Sequence, residues 1–170
     1  RDLHGTMYRN GPGRIRVGPH RYGHWFDGDG FVTALRVDGR SGRASFAGRF
    51  VRTERFLAQE EAGEAGGMAT RGAWTQRGSG GIGDNCLRVP TNPANTNVML
   101  FGGRLLCLCE GGPPIEIDPR TLETRGEYFF DDKEKEEKEA GKGYGGNTGG
   151  IALGSSFTQA VSQAASGLWG

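Results

Sequence analysis

Several groups of side chains in this sequence have the types and spacing that chemistry would need. His20 and His24 stand four apart, which on a helix would set two imidazoles on one face as metal ligands. Gly18, Pro19 and Gly23 argue against that helix, and His4 lies close to the start with no partner motif. Asp27 and Asp29, within Asp27-Gly28-Asp29-Gly30, have the spacing of the first calcium-loop ligands, but the later ligands and the distal Glu are missing. A tight turn is the expected use of that tetrapeptide. Cys107 and Cys109 alternate onto one face of a strand, yet two thiols alone make an incomplete zinc site, and packing is the expected role. Gly78-Ser79-Gly80-Gly81-Ile82-Gly83 fits G-x-G-x-x-G in form. A dinucleotide loop needs a strand before it and a helix after it. Thr75-Gln76-Arg77 is no buried strand, and Pro90 and Pro93 follow, so a plain loop is expected. Arg36, Arg49, Arg52 and Arg55 could gather a phosphate. Because 21 basic side chains face 20 acidic ones, scattered salt bridges are the expected use, and nucleic acid is not an expected partner.

The elements that must position these residues read as short strands and turns. Residues 6–18 are rich in Gly, Arg and Pro and read as an opening loop. Asp27-Gly28-Asp29-Gly30 is expected to turn a hairpin between Trp25-Phe26 and a strand over Phe31 to Val37. Asp38 to Gly42 is a second turn and Ala44 to Val51 a further strand. Arg52 to Glu64 reads as a short helix or an irregular arm, and residues 63–83 as glycine-rich loop. Val98 to Phe101 and Arg104 to Cys109, joined by Gly102-Gly103, form the clearest hairpin, because glycine accepts the positive φ that tight hairpin loops require. Ile115-Glu116-Ile117 alternates like a strand, Asp118-Pro119-Arg120-Thr121 reads as a turn, and Tyr128 to Phe130 is expected to close that sheet. The pattern points to all-β architecture without choosing among sandwich, barrel and propeller. Residues 131–150 read as a charged and glycine-rich flexible insertion, and residues 151–170 as a divergent tail.

Bulk composition narrows the class further. The chain has 170 residues, enough for one modest domain, with 35% apolar residues and 32 glycines. So much flexible backbone is costly to order with so little apolar surface, which predicts weak independent folding. The net charge of +1 gives no electrostatic case for an anionic membrane. No apolar run approaches the roughly 20 residues that a spanning helix needs. Three cysteines, Cys86, Cys107 and Cys109, argue against a disulfide framework and favour a reducing compartment. Arg1 stands where Met would open a complete chain, so the sequence is expected to lack its true N-terminus.

Four ordered blocks resemble the carotenoid cleavage oxygenase family, whose members split carotenoids, apocarotenoids and stilbenes. They are Tyr8-Arg9-Asn10-Gly11-Pro12; His24 to Gly30 followed by Ala34-Leu35-Arg36; Arg49 to Arg55; and a long block from Asn95-Thr96-Asn97-Val98 to Thr121-Leu122-Glu123-Thr124. That last block contains Gly102-Gly103-Arg104-Leu105-Leu106, Glu110-Gly111-Gly112-Pro113 and Glu116-Ile117-Asp118-Pro119.

The resemblance implies the N-terminal part, residues 1–130, of a seven-bladed β-propeller. It implies an Fe(II) enzyme that uses O₂ to cleave a double bond of a carotenoid or apocarotenoid. Family members hold the iron with four histidines, and outer glutamates orient those imidazoles. Glu110 matches one of these glutamates; its alternative reading is a solvated glutamate at a strand end. The family's first iron histidine follows a Phe-Thr pair, and here Phe157-Thr158 is followed by Gln159-Ala160, so that ligand position falls near Ala160, which has no donor atom. No catalytic or metal-binding residue is therefore expected in this chain, and none of it is expected to bind Fe(II) alone. A truncated product or a broken gene model is expected, with family character ending after Thr158. The alternative is a non-catalytic regulatory partner that pairs its strand edges with a full-length enzyme. Family members include cytosolic, plastid and membrane-surface proteins, which leaves plastid or cytoplasm and a peripheral membrane contact open.

Overall fold

A computed structural model describes residues 2–63, 92–133 and 135–136. Cys86, the 78–83 glycine motif, Phe157, Thr158, Gln159 and Ala160 lie outside the described residues, as do most of the 131–150 insertion and all of the 151–170 tail.

The described residues form two antiparallel sheets packed on one core. The first has the order β1-β4-β5, from β1 (His4–Arg14), β4 (Asp29–Asp38) and β5 (Arg43–Phe50). The second is a four-stranded meander, β6 (Asn97–Phe101), β7 (Arg104–Leu108), β8 (Ile115–Ile117) and β9 (Thr124–Glu127). A small hairpin, β2 (Arg16–Val17) with β3 (His20–Arg21), lies between β1 and a 3-10 turn over Trp25–Asp27.

Strand alternation decides which side chains face inward. Along β4, Val32 and Ala34 point to the core, where they join Val51, Ala94, Leu105, Cys107, Ile115, Ile117 and Leu122. Tyr8, Ala47 and Val98 pack against the same cluster from neighbouring strands. Polar bonds tie the two sheets along the rim of that core. The Tyr8 hydroxyl donates to the Pro119 carbonyl at 2.8 Å, and the Arg36 guanidinium donates to the carbonyls of Pro119 and Arg120 at 3.2 and 2.6 Å.

Two expectations from sequence are corrected here. Residues 6–18 are no opening loop: most of them form β1, which pairs residue by residue with β4 from His4↔Asp38 to Pro12↔Gly30. Their Gly, Arg and Pro content hid the strand, because long-range pairing with an apolar neighbour outweighs weak local preference. The expected hairpin at Asp27 to Gly30 is also absent. Trp25–Asp27 is a 3-10 turn, β4 starts at Asp29, and its partner is β1. Gly30 thus lies within a strand, where its N–H donates to the Pro93 carbonyl at 2.8 Å. A Cβ there would run into the carbonyls of Ala94 and Pro93, so close backbone approach, not turning, is what requires glycine.

Other expectations hold. Gly102 and Gly103, at φ 55° and 79°, turn the β6–β7 hairpin with both central residues left-handed. Asp38 accepts from the backbone N–H of Arg40 and from Ser41 to close the β4–β5 turn. The segment after Arg52 is a helix, α1 (Glu54–Ala62). Thr53 caps it by accepting from the Phe56 N–H at 3.2 Å, and Gly63 ends it at φ 59°. A third expectation is corrected: Thr124–Glu127, rather than Tyr128 to Phe130, supplies the strand that closes the second sheet. Tyr128 and Phe130 instead meet edge to face beside it, 5.1 Å between centroids.

Candidate functional site

The segment at residues 92–97 crosses between the two sheets and is held by three asparagines. Asn92 accepts from the Ala94 N–H at 2.9 Å and donates to the Pro113 carbonyl at 2.8 Å. Ala94 consequently sits at φ 48°, an uncommon conformation for a residue with a Cβ. Asn10, from β1, donates to the carbonyls of Ala94 and Asn97 at 2.8 and 2.9 Å. Asn95 is buried and donates to the carbonyls of Phe26 and Gly28, both at 2.7 Å.

That held segment presents Thr96. Its N–H donates to the Leu108 carbonyl at 3.0 Å, which aligns it beside the end of β7. Its hydroxyl donates to Glu110 Oε2 at 2.9 Å. Glu110 is exposed, and its other oxygen, Oε1, meets no donor among the described residues. One carboxylate oxygen is therefore held by Thr96 while the other has no donor among the described residues.

Beneath the segment lies a buried ion cluster that sequence reading did not foresee. Asp29, 1% exposed, accepts from Arg14 Nε at 2.7 Å and has Arg55 Nε at 3.2 Å. Arg55 also donates to the Asp27 carbonyl and stacks over the Tyr22 ring at 4.4 Å. The aspartates at 27 and 29 are thus buried structural groups, and Asp29 is committed to two guanidiniums. The four arginines considered for phosphate do not gather. Arg49, Arg52 and Arg55 pair with Glu123, Glu60 and Asp29, and Arg36 bonds carbonyls.

The histidines are also apart. His4 Nδ1 lies 3.2 Å from Asp38, and His24 accepts from the Phe26 N–H as the cap of the 3-10 turn. His20 lies in β3, so the two do not share a helix face. Among the described residues, no group of three His, Cys, Asp or Glu side chains is placed to hold a metal ion. Of the two strand thiols, Cys107 is buried in the core and burial pushes it up to about 12, while Cys109 is half-buried; both are free. On the second sheet, Asp118 is held down to about 2 by the N–H groups of Thr121 and Arg120 and by Arg125. Arg125 also reaches Glu116 at 3.1 Å, which takes Arg104 at 2.8 Å on its other oxygen.

Comparison with known proteins covers most of this chain. Residues 1–147 match the family described as Retinal pigment epithelial membrane protein. The chain belongs to this family, that of the carotenoid cleavage oxygenases. The apocarotenoid-15,15'-oxygenase of Synechocystis sp. is 43% identical over 129 residues, covering 74% of this chain and 25% of that protein. Resveratrol cleavage oxygenase 1 of Aspergillus fumigatus is 45% identical, over 63% of this chain and 20% of its own length. Carotenoid cleavage dioxygenase 7, chloroplastic, of Oryza sativa subsp. japonica is 37% identical, over 73% and 20%. The chain thus spans a quarter or less of these relatives. A solved threonine-to-alanine variant of the Synechocystis oxygenase superposes with a TM-score of 0.66 at 41% identity, covering 75% of this chain and 26% of that one. A solved glutamate-to-aspartate variant, fourteen positions further along that enzyme, gives a TM-score of 0.66 at 40% identity over the same shares. A cobalt-substituted form has also been solved (TM-score 0.64, 39% identity, 75% and 26% covered).

Proposed function

We propose that this chain builds the N-terminal blades of a β-propeller oxygenase that cleaves a carbon–carbon double bond of a carotenoid or apocarotenoid with O₂. In this reading Glu110 orients an iron-bound histidine supplied by the rest of the fold. The observation that carries it is the Thr96–Glu110 hydrogen bond. A ligating imidazole needs an acceptor on its second nitrogen that is itself held in place. Glu110 offers that: Thr96 fixes one oxygen, and the other is left without a donor among the described residues. Thr96 and Glu110 stand fourteen residues apart, the separation of the threonine and glutamate changed in the solved Synechocystis variants.

The four-histidine set that the family resemblance implies does not fit this chain alone, which has three histidines, none gathered into a metal site among the described residues. The chain's own share is positional. Asn10 and Asn95 set the crossing segment, Thr96 sets the carboxylate, and the meander β6–β9 has the form of one four-stranded blade. The isolated chain is expected to be inactive. Iron, when bound in a whole family member, supplies the O₂ chemistry; the cobalt-substituted relative supports a divalent-metal site. A plastid location is in keeping with the word chloroplastic in the name of the rice relative. Among the described residues, no helix is long and apolar enough to cross a membrane.

The test is a chimera in which residues 1–130 replace the aligned quarter of the Synechocystis enzyme. It is expected to cleave an apocarotenoid. Glu110→Gln in that chimera is expected to lower iron content or turnover by roughly 10–100-fold. Unchanged iron content together with unchanged turnover would remove Glu110 from the site.

A further inference from the structure

Asn10, on β1, carries a cost that the packing around it does not offset. Its side-chain oxygen is buried and meets no donor among the described residues. Buried polar atoms are ordinarily paired, so an orphaned acceptor marks an amide kept for its donors. Both hydrogens of that amide are used: they go to the carbonyls of Ala94 and Asn97 at 2.8 and 2.9 Å. Those carbonyls also fix which end of the amide faces them, since an oxygen turned their way would meet two further acceptors.

The two carbonyls stand on either side of Asn95-Thr96. One planar NH2 group that holds both constrains the path of the chain between them. The Thr96 N–H is held separately, on the Leu108 carbonyl at 3.0 Å. Between these fixed points Thr96 directs its hydroxyl to Glu110 Oε2 at 2.9 Å. Ala94 stays left-handed at φ 48°, and its carbonyl is one of the two that Asn10 takes. Uncommon backbone of this kind persists where its neighbours over-determine it. The strand bearing the amide is itself anchored. Asn10 stands directly opposite Val32 of β4, a core residue 1% exposed, so both side chains share the inward face of the sheet. Asn95 works differently: it bonds outward to Phe26 and Gly28 and donates to neither carbonyl beside Thr96.

We propose that Asn10 is a positioning residue for the metal site of the complete fold. By holding the carbonyls of Ala94 and Asn97, its amide sets how Thr96 presents its hydroxyl to Glu110, and so how that carboxylate is aimed. This rests on the reading that Glu110 orients an iron-bound histidine. Asn10 acts only through Thr96 and Glu110. Alanine at this position leaves both carbonyls without their donor, and aspartate would set a carboxylate against them.

The test is Co(II) binding to the metal-free chimera of residues 1–130 with the remainder of the Synechocystis enzyme, by equilibrium dialysis, in a double-mutant cycle. Glu110→Gln is expected to weaken binding by roughly 10–100-fold, and Asn10→Ala by about tenfold. In the Glu110→Gln background, Asn10→Ala is expected to add less than about twofold, because the group it acts through is already gone. Tyr8→Phe loses a cross-sheet bond of the same kind, to the Pro119 carbonyl, and should bind Co(II) like wild type. A merely structural Asn10 gives another result: Asn10→Ala lowers the urea midpoint but weakens Co(II) equally in both backgrounds, or not at all. Either outcome overturns the proposal, as does Tyr8→Phe weakening binding as much as Asn10→Ala. If Asn10→Ala yields no folded chimera, Asn10→Ser, which keeps one donor, runs the same cycle under the same criteria. Glu110→Gln without effect on Co(II) removes the reading of Glu110 and this inference together. Glu110→Gln with its effect, and an additive Asn10→Ala, removes this inference alone.

Discussion

The side-chain amide of Asn95 lies 2.7 Å from the carbonyl oxygen of Gly28, a residue 67 positions earlier in the chain. Its second hydrogen goes to the Phe26 carbonyl at the same distance. A single buried amide thus fastens the crossing segment to the 3-10 turn. Thr96 follows directly, so the hydroxyl that holds Glu110 is placed by this bond.

Replacing Asn95 with Ala removes the donor that serves two carbonyls, the buried one of Gly28 and the part-buried one of Phe26. The expected cost is about 2–4 kcal/mol, since an unsatisfied buried polar group costs roughly 1–3 kcal/mol. Urea denaturation measures it. A loss below about 0.5 kcal/mol, the range of an ordinary surface change, would show that the carbonyls find other donors.

The Asp29 pair with Arg55 is expected to behave as a buried ion pair in which each partner needs the other. Both side chains are 1% exposed. Asp29→Asn leaves the guanidinium buried without a counter-charge and should destabilise the chain by about 3–5 kcal/mol. The double change Asp29→Leu with Arg55→Met should recover most of that loss, because neither charge then has to be desolvated. A double variant less stable than Asp29→Asn would show that the hydrogen bonds to the Asp27 carbonyl and Arg14, rather than the charge pair, dominate.

Burial holds the Cys107 thiol up to about 12, so near pH 8 it stays protonated and unreactive in the folded chain. Iodoacetamide at that pH should label Cys109 well before Cys107, and peptide mass mapping reads the order. In denaturant the difference should vanish. Early labelling of Cys107 in the native chain would mean that the core opens readily around β7.

The turn after β8 should make stability depend on acid. Asp118 titrates at about 2 in the folded chain, chiefly through the Thr121 and Arg120 N–H groups, against about 4 for a free aspartate. A lowered pKa in the folded state means that the stabilisation is complete above about pH 4 and fades as pH falls toward 2. The stability gap between wild type and Asp118→Asn should therefore narrow from pH 5 to pH 2. A gap independent of pH would assign the difference to turn geometry, which Asn can also supply, rather than to charge.

Much of the second sheet was legible in the residues themselves. Val98 to Leu108 alternates around Gly102-Gly103, and a two-residue loop with both φ values positive needs glycine, so the hairpin and its register follow locally. The turns at Asp38 and Asp118 follow from side chains that accept their own neighbours' N–H groups. Glu110 was legible only through family resemblance, because nothing within its own stretch of chain distinguishes it from a solvated strand-end glutamate.

What tertiary structure decided is the set of long-range pairings. β1 carries no strand signal of its own, yet its eleven residues extend because β4 pairs with them from His4 to Arg14, with one shift of register between Pro12 and Arg14. Asp27 and Asp29 look like turn residues in sequence, and become buried backbone and ion-cluster partners only when Arg14 and Arg55 arrive from elsewhere. Thr96 gains its role the same way, across fourteen positions to Glu110. Sequence determined what depends on near neighbours: turns, caps and the alternation that marks an inward face. Folding determined which polar groups share a buried space, because a hydrogen bond or ion pair between distant residues has no local periodicity to announce it.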